Sequence, residues 1–231
     1  EGDSTSLRLR GKVHLPRLNK RLSLVFNEQE PDDERQLENP EDRQKQTPRV
    51  AVQYNASDKK NSRVDFRLSM RSSLKARAYM RYRYDVPITD DSSYRYRFIE
   101  TLYFIDGEGF GSDTRYTLSK VVDYRHLLTW SNRLRFAEDT EGVQWSSTLS
   151  LSRRLDKQAA ISTHLWTSGE TRPSYLTQAY GFGGVYRSNF YRPWLFYEVE
   201  PAYGWFRDEP EDSRKGRALL TLRLEALLDY F

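Results

Sequence analysis

The chain has no cysteine, which excludes disulfides, thiol catalysis and Cys-ligated metal sites. It has no run of about 18 apolar residues, which excludes a membrane-spanning helix. Its three histidines, His14, His126 and His164, fall on different segments, too scattered for a histidine metal centre. The segments between 114 and 187 sustain no 3.6-residue periodicity for two turns, so nothing there predicts a helix. The formal net charge of +4 is too small for 231 residues to point to nucleic acid without a clustered basic patch. There is no initiating Met and no signal peptide at Glu1–Thr5, so the chain is expected to be a processed or truncated product.

What the sequence has in quantity is alternation. From Trp194 to Phe206, Leu195, Tyr197, Val199, Tyr203 and Trp205 share one face, and Phe196, Glu198, Glu200, Ala202 and Gly204 share the other. After the polar segment 207–216, Leu220, Leu222, Leu224, Ala226, Leu228 and Tyr230 alternate with Thr221, Arg223, Glu225, Leu227 and Asp229. Strands of soluble proteins most often run five or six residues. Alternating strands of ten or more, ending on an aromatic residue, are the pattern of a transmembrane β-barrel. A mean hydropathy of −0.84 does not contradict this, because only every second residue of such a strand faces lipid. An aromatic content of 14%, with 16 Tyr and 5 Trp, suits interfacial girdles, and Tyr82, Tyr84, Tyr94 and Tyr96 are expected to form one sector of them.

The alternation recurs along the chain. Leu7, Leu9 and Val13 oppose Arg8, Arg10, Lys12 and His14; Leu22, Leu24 and Phe26 follow the turn Pro16–Asn19. A long polar loop, 27–48, precedes Val50, Val52 and Tyr54, and Ser57–Asn61 is expected to turn the chain into the run Val64 to Met70. Further strands are expected from 76, from 94, and at 114–123, 127–137, 143–153, 158–167 and 174–187. Glu100 falls on the apolar parity of its strand, and a β-bulge near Phe98–Glu100 is expected to correct it. The glycine-rich segment Ile105–Gly111 lacks the Lys-Ser/Thr and the helix of a phosphate-binding loop and reads as a hairpin connection. The fold expected is therefore all-β: one antiparallel up-and-down transmembrane barrel over 1–231, with about 13 strands in this chain. Bacterial barrels have even strand numbers, so about 14 are expected once a missing upstream strand is added. Counting back from a last strand that ends in the periplasm puts 27–48, 105–113, 138–142, 168–173 and 207–216 outside, and 16–19, 154–157 and 188–193 inside.

The segments Arg8–Arg10 with Leu15–Leu18, Trp145–Leu151, Ser168–Arg172, Trp194–Pro201 and Leu222–Leu228 resemble those of a family of uncharacterised outer-membrane β-barrel proteins from Gram-negative bacteria. The resemblance touches most of the chain and rests on strand segments; it implies an outer-membrane location and brings no activity with it. The C-terminus also resembles the signal read by the barrel-assembly machinery, with Tyr230 and Leu228 at the usual spacing. It departs from that signal in the extra Phe231 and in Glu225, which stands where a glycine is usual.

The strongest chemical signal is the polar face. Arg8, Arg10, Arg63, Arg67, Arg77, Arg81, Arg83, Arg95, Arg97, Arg133, Arg135 and Arg223 alternate with lipid-type residues, so in a barrel they line the lumen, with Asp65, Glu198, Glu200 and Glu225 as its acids. A basic charge facing lipid at the midplane costs about 2–4 kcal/mol, which forces this orientation. An arginine-lined lumen attracts anions; arginines paired with lumen acids would instead fill the interior. Reflection about the 207–214 loop places Glu198 opposite Arg223 as a cross-strand ion pair. Reflection about Leu155–Asp156 puts Ser146 or Thr148 beside His164, with Ser162 on the same face; a hydroxyl–imidazole pair could serve as nucleophile and base. No Asp stands near to orient His164, and the pair faces the lumen, away from a lipid substrate. The leading reading is a passive channel for small anionic or polar solutes. The alternatives are a non-conducting structural or assembly barrel acting with a partner protein, and an outer-membrane hydrolase. No catalytic residue, metal or cofactor is assigned. The expected partners are outer-membrane lipid and lipopolysaccharide and, during biogenesis, the barrel-assembly machinery.

Overall fold

The computed structural model describes residues 11–14, 22–26, 49–71, 76–89, 93–107, 109–138, 140, 142–207 and 209–226. Within them the chain forms one antiparallel up-and-down sheet and no helix. The strands are β1 (Gly11–His14), β2 (Leu22–Phe26), β3 (Arg49–Lys59), β4 (Ser62–Arg71), β5 (Ala76–Pro87), β6 (Tyr94–Ile105), β7 (Gly109–Val121), β8 (His126–Ala137), β9 (Val143–Arg154), β10 (Ala159–Glu170), β11 (Leu176–Phe190), β12 (Arg192–Phe206) and β13 (Lys215–Ala226). Each pairs with its neighbour in sequence.

The eleven strands β3 to β13 are 10 to 15 residues long, while β1 and β2 have four and five. The expected count of about 13 barrel-length strands is thus corrected to eleven among the described residues. Nor does the sheet close on itself there: β13 pairs with β12 alone and β1 with β2 alone. Both edge strands have odd numbers and run in the same direction, so antiparallel pairing cannot join them. Residues 1–10, the 27–48 loop and 227–231 lie outside the described residues, and with them Arg8, Arg10 and the C-terminal signal.

Connectivity alone sorts the connections into two ends. Those at 106–108, 138–142, 171–175 and 207–214 lie at one end, and those at 60–61, 88–93, 122–125, 155–158 and 191 at the other. The first group matches the sequence grouping of outer connections. On either side of the β6–β7 connection Gly107 (φ 80°) and Gly109 (φ 83°) adopt the left-handed conformation that a Cβ disfavours. The turn expected at Ser57–Asn61 is shorter: β3 continues to Lys59 through an irregularity between Asn55 and Ser57, and only Lys60 and Asn61 turn. Pairing of β11 with β12 skips from Gly183–Ala202 to Tyr186–Val199, and the gap contains Pro201, which has no N–H to give.

The two faces of the sheet differ in an unusual sense. One exposes large apolar side chains, among them Leu68 at 61% and Leu165 at 60%; the other buries Arg81 and Glu200, each at 2%. Contacts that skip a strand occur on the polar side. Trp166 of β10 packs on Phe206 of β12 with ring centroids 5.6 Å apart, and Arg187 of β11 reaches Glu225 of β13 at 2.7 Å. A sheet curled toward its polar side brings such pairs within reach.

Glu100 stays on the apolar face. The β6 register runs unshifted from Arg95 to Ile105 against both neighbours, so the expected bulge is absent. Instead Thr114 Oγ1 donates to Glu100 Oε2 at 2.6 Å. A short hydroxyl on the facing strand satisfies the carboxylate locally, and no register shift is needed. Tyr82, Tyr84, Tyr94 and Tyr96 share this face near one end, but not as direct partners: Tyr84 faces Phe98 and Tyr96 faces Val86.

Candidate functional site: the polar face of the sheet

Strand alternation sets the site. On β4 to β8 one face carries Arg63, Arg67, Arg77, Arg81, Arg83, Arg95, Arg97, Arg115, Arg133 and Arg135, against Asp65, Asp85 and Asp113. Every described arginine assigned to a lumen from the sequence lies on this face, and so do Asp65, Glu198, Glu200 and Glu225.

At the centre of the basic sector is Tyr79. The guanidinium carbons of Arg67, Arg81 and Arg77 lie 5.0, 5.3 and 5.7 Å from its ring centroid, and Arg77 is also 4.8 Å from that of Tyr103. Arg81 Nη2 donates to Tyr79 Oη at 3.2 Å, and Arg67 Nη2 to Gln53 Oε1 at 3.0 Å. Arg135 Nε donates to Tyr103 Oη at 3.2 Å, and that hydroxyl donates to the Phe136 carbonyl at 3.4 Å. The phenol faces attract the cations and fix side chains that would otherwise be mobile.

Beside this sector, arginines meet carboxylates. Arg63 Nε donates to Asp65 at 2.8 Å, Arg97 Nε to Asp85 at 3.0 Å, and Arg95 Nε lies 3.4 Å from Asp85. Arg115 and Arg133 face each other across β7 and β8, a like-charge placement that destabilises a sheet. Asp113 offsets it by accepting from Arg115 Nε at 3.0 Å and Arg133 Nε at 2.9 Å. Sequence reasoning missed Asp85, Asp113, Arg115 and Arg187 as members of these networks, although strand parity alone puts them on the same face. On β12 and β13, Glu198 and Arg223 form the expected ion pair.

The wall formed by β9 to β12 is different in character. Thr148, Ser150, Ser162 and His164 are buried on it, and the hydroxyls of Ser152 and Ser162 are 3.0 Å apart. Trp166 lies flat against this wall: a Cβ on Gly181 would come within 2.6 Å of its Cζ2 and within 2.5 Å of the Tyr203 carbonyl oxygen. The residue facing His164 on β9 is Ser150; Ser146 faces Ser168 and Thr148 faces Trp166. This corrects the expected pairing of His164 with Ser146 or Thr148. The loop between β9 and β10 is shaped by Asp156, which accepts the N–H groups of Gln158 and Ala159, and its centre lies beyond the assumed point of reflection. Among the described residues no group of three or more His, Asp or Glu could hold a metal ion.

These observations define the class as an all-β, antiparallel up-and-down sheet with an inverted polarity. No protein-family model matches the chain, and no curated protein matches it. Among solved structures it is similar to the NanC porin, with a TM-score of 0.46 and 6% identity over 79% of this chain and 94% of that one.

Proposed function

We propose that the chain is an outer-membrane β-barrel whose arginine-lined interior passes small anionic or polar solutes. The observation that carries this reading is the inverted polarity: Leu165, Leu68, Phe110 and Leu222 face outward, while Arg81, Arg67, Asp65 and Glu200 are buried on the opposite side. Leaving a large apolar side chain in water forgoes about 1.5–3 kcal/mol, and this face exposes many. In hydrocarbon that cost disappears. A membrane sheet must also satisfy its backbone between strands, which favours a closed barrel over an open sheet. Arginines gathered on the enclosed side then give an interior that attracts anions, in keeping with the rule for charged pore linings.

The test is conductance in planar bilayers under a salt gradient. Discrete steps with a reversal potential on the anion side support the channel, and a cation-side potential overturns it. A second reading, a non-conducting structural barrel, is favoured by the carboxylates that already engage Arg63, Arg97, Arg115, Arg133 and Arg223. It predicts inserted protein without conductance steps. A hydrolase reading predicts ester or lipid turnover that is abolished in His164→Ala; turnover unchanged in that variant rejects it.

A further inference from the structure

We propose that the end of the sheet bearing the 122–125 and 155–158 turns docks the phosphates of anionic lipid headgroups, through Arg125, Arg153, Arg154 and Lys157. The inference rests on the membrane reading above and adds what holds one rim of the protein at the bilayer surface.

The two turns are built alike. Asp123 Oδ1 accepts the backbone N–H of Arg125 at 2.7 Å and of His126 at 2.9 Å, and both carboxylate oxygens lie within 2.9 Å of His126 Nδ1. Asp156 Oδ1 accepts the N–H of Gln158 at 2.6 Å and of Ala159 at 2.8 Å. Each turn has one carboxylate, and each is directed onto its own turn. The cations are not so engaged: among the described residues Arg153, Arg154 and Lys157 have no ion-pair partner, and all four cations are exposed. Register brings their backbones together at this end: Arg153 faces His126 on the apolar side, Arg154 lies on the polar side, and the Arg154 N–H donates to the Arg125 carbonyl at 2.9 Å, so the cations flank the rim from both faces.

The cluster also has an apolar component. Tyr124 is 81% exposed beside it, with the Arg125 guanidinium 5.0 Å from its ring, and Val122 and Leu155 are exposed on the same turns. An aromatic ring set among cations at the end of an apolar belt suits the layer where hydrocarbon gives way to headgroups. Long basic side chains there reach outward to phosphate. The opposite end exposes Glu138, Glu209, Glu211 and Asp212 among Arg172, Lys215 and Arg217, so its charges are mixed, and attraction to an anionic surface is stronger at this one.

The experiment uses the full chain in detergent, delipidated, then titrated with phosphatidylglycerol or phosphatidylcholine and followed by native mass spectrometry. Phosphatidylglycerol adducts are expected to dominate at equal concentration. The R125Q/R153Q/R154Q/K157Q variant is expected to lose them by about tenfold or more, and R153Q/R154Q by less. Both variants are checked for wild-type heat-dependent gel mobility. Inorganic phosphate at millimolar concentration is expected to leave the lipid adducts in place; displacement would assign a free-anion site and overturn the lipid assignment. Equal uptake of the two lipids, or full phosphatidylglycerol uptake by the folded quadruple variant, also overturns it. Failure of the membrane reading looks different: a chain monodisperse without detergent that inserts into neither kind of vesicle.

Discussion

Glu198 of β12 and Arg223 of β13 face each other across the sheet, and Arg223 Nη1 donates to Glu198 Oε1. The pair extends sideways: Arg187 of β11 lies 3.5 Å from Glu198 and 2.7 Å from Glu225. Acid and base alternate through four residues on three strands, so Glu198 serves two cations at once. Replacing it by Gln leaves Arg223 and Arg187 close together without their shared counter-charge. Glu198→Gln is expected to destabilise the folded state by about 1–2 kcal/mol, discounted for partial exposure, and Arg223→Gln by less. Denaturant unfolding in detergent or lipid measures both. A double-mutant cycle for the pair should show coupling above about 0.5 kcal/mol; strict additivity would exclude a working ion pair.

Arg77 and Arg81 lie on the Tyr79 and Tyr103 rings in the middle of the basic sector. In a water-filled lumen a charge at contact distance contributes about 1 kcal/mol, about fivefold in the relative entry of anions and cations; half-buried Arg77 acts at that range, and buried Arg81 from farther away with a smaller effect. Arg77→Gln with Arg81→Gln is therefore expected to move the reversal potential toward the cation side while steps persist. An unchanged potential would place the solute path elsewhere.

Glu100 is the one charged residue at mid-strand on the apolar face among the described residues. If that face meets hydrocarbon, Glu100→Leu removes an unfavourable group and stabilises the protein in bilayers, by an amount below the roughly 2–4 kcal/mol known for buried basic residues. Thr114→Val removes the hydroxyl that satisfies the carboxylate and acts in the opposite direction by about 1 kcal/mol. Unfolding titrations in lipid vesicles separate the signs. In a water-facing sheet Glu100→Leu would instead promote aggregation.

Asp123 is held below the ordinary carboxylate range by the backbone N–H of Arg125 first, then by hydrogen bonding from the His126 ring. A lowered folded-state pKa contributes stability that is present above the unfolded value, about 3.9, and lost as pH falls through the folded one. The amides of Arg125 and His126 are expected to stay protected from hydrogen exchange through pH 4 and to lose protection only below it. In Asp123→Asn that pH dependence should vanish; persistence would assign the protection to other bonds.

The legibility of the sequence followed the range of the interactions. The Glu198–Arg223 register could be read because the loop between β12 and β13 is symmetric about its middle. His164 faces Ser150 and not Ser146 or Thr148 because Asp156 shifts the centre of the β9–β10 turn, and that shift depends on a side-chain cap that alternation does not encode. The same limit produced the bulge expected at Glu100, where parity flagged a misfit but could not foresee a hydroxyl on the next strand able to absorb it.

Side-chain period is a property of each strand alone, because successive residues point to opposite faces whatever the strand packs against. The sequence by itself therefore determined that long strands alternate, which face of each carries arginine, and roughly where, though not on which residues, the chain turns. The tertiary structure decided what depends on neighbouring strands: the gathering of three arginines on Tyr79, the bridging of Arg115 and Arg133 by Asp113, and the proximity of Arg125 to Arg154. It also decided that the polar side is the more buried one, because curvature arises from all the strands together.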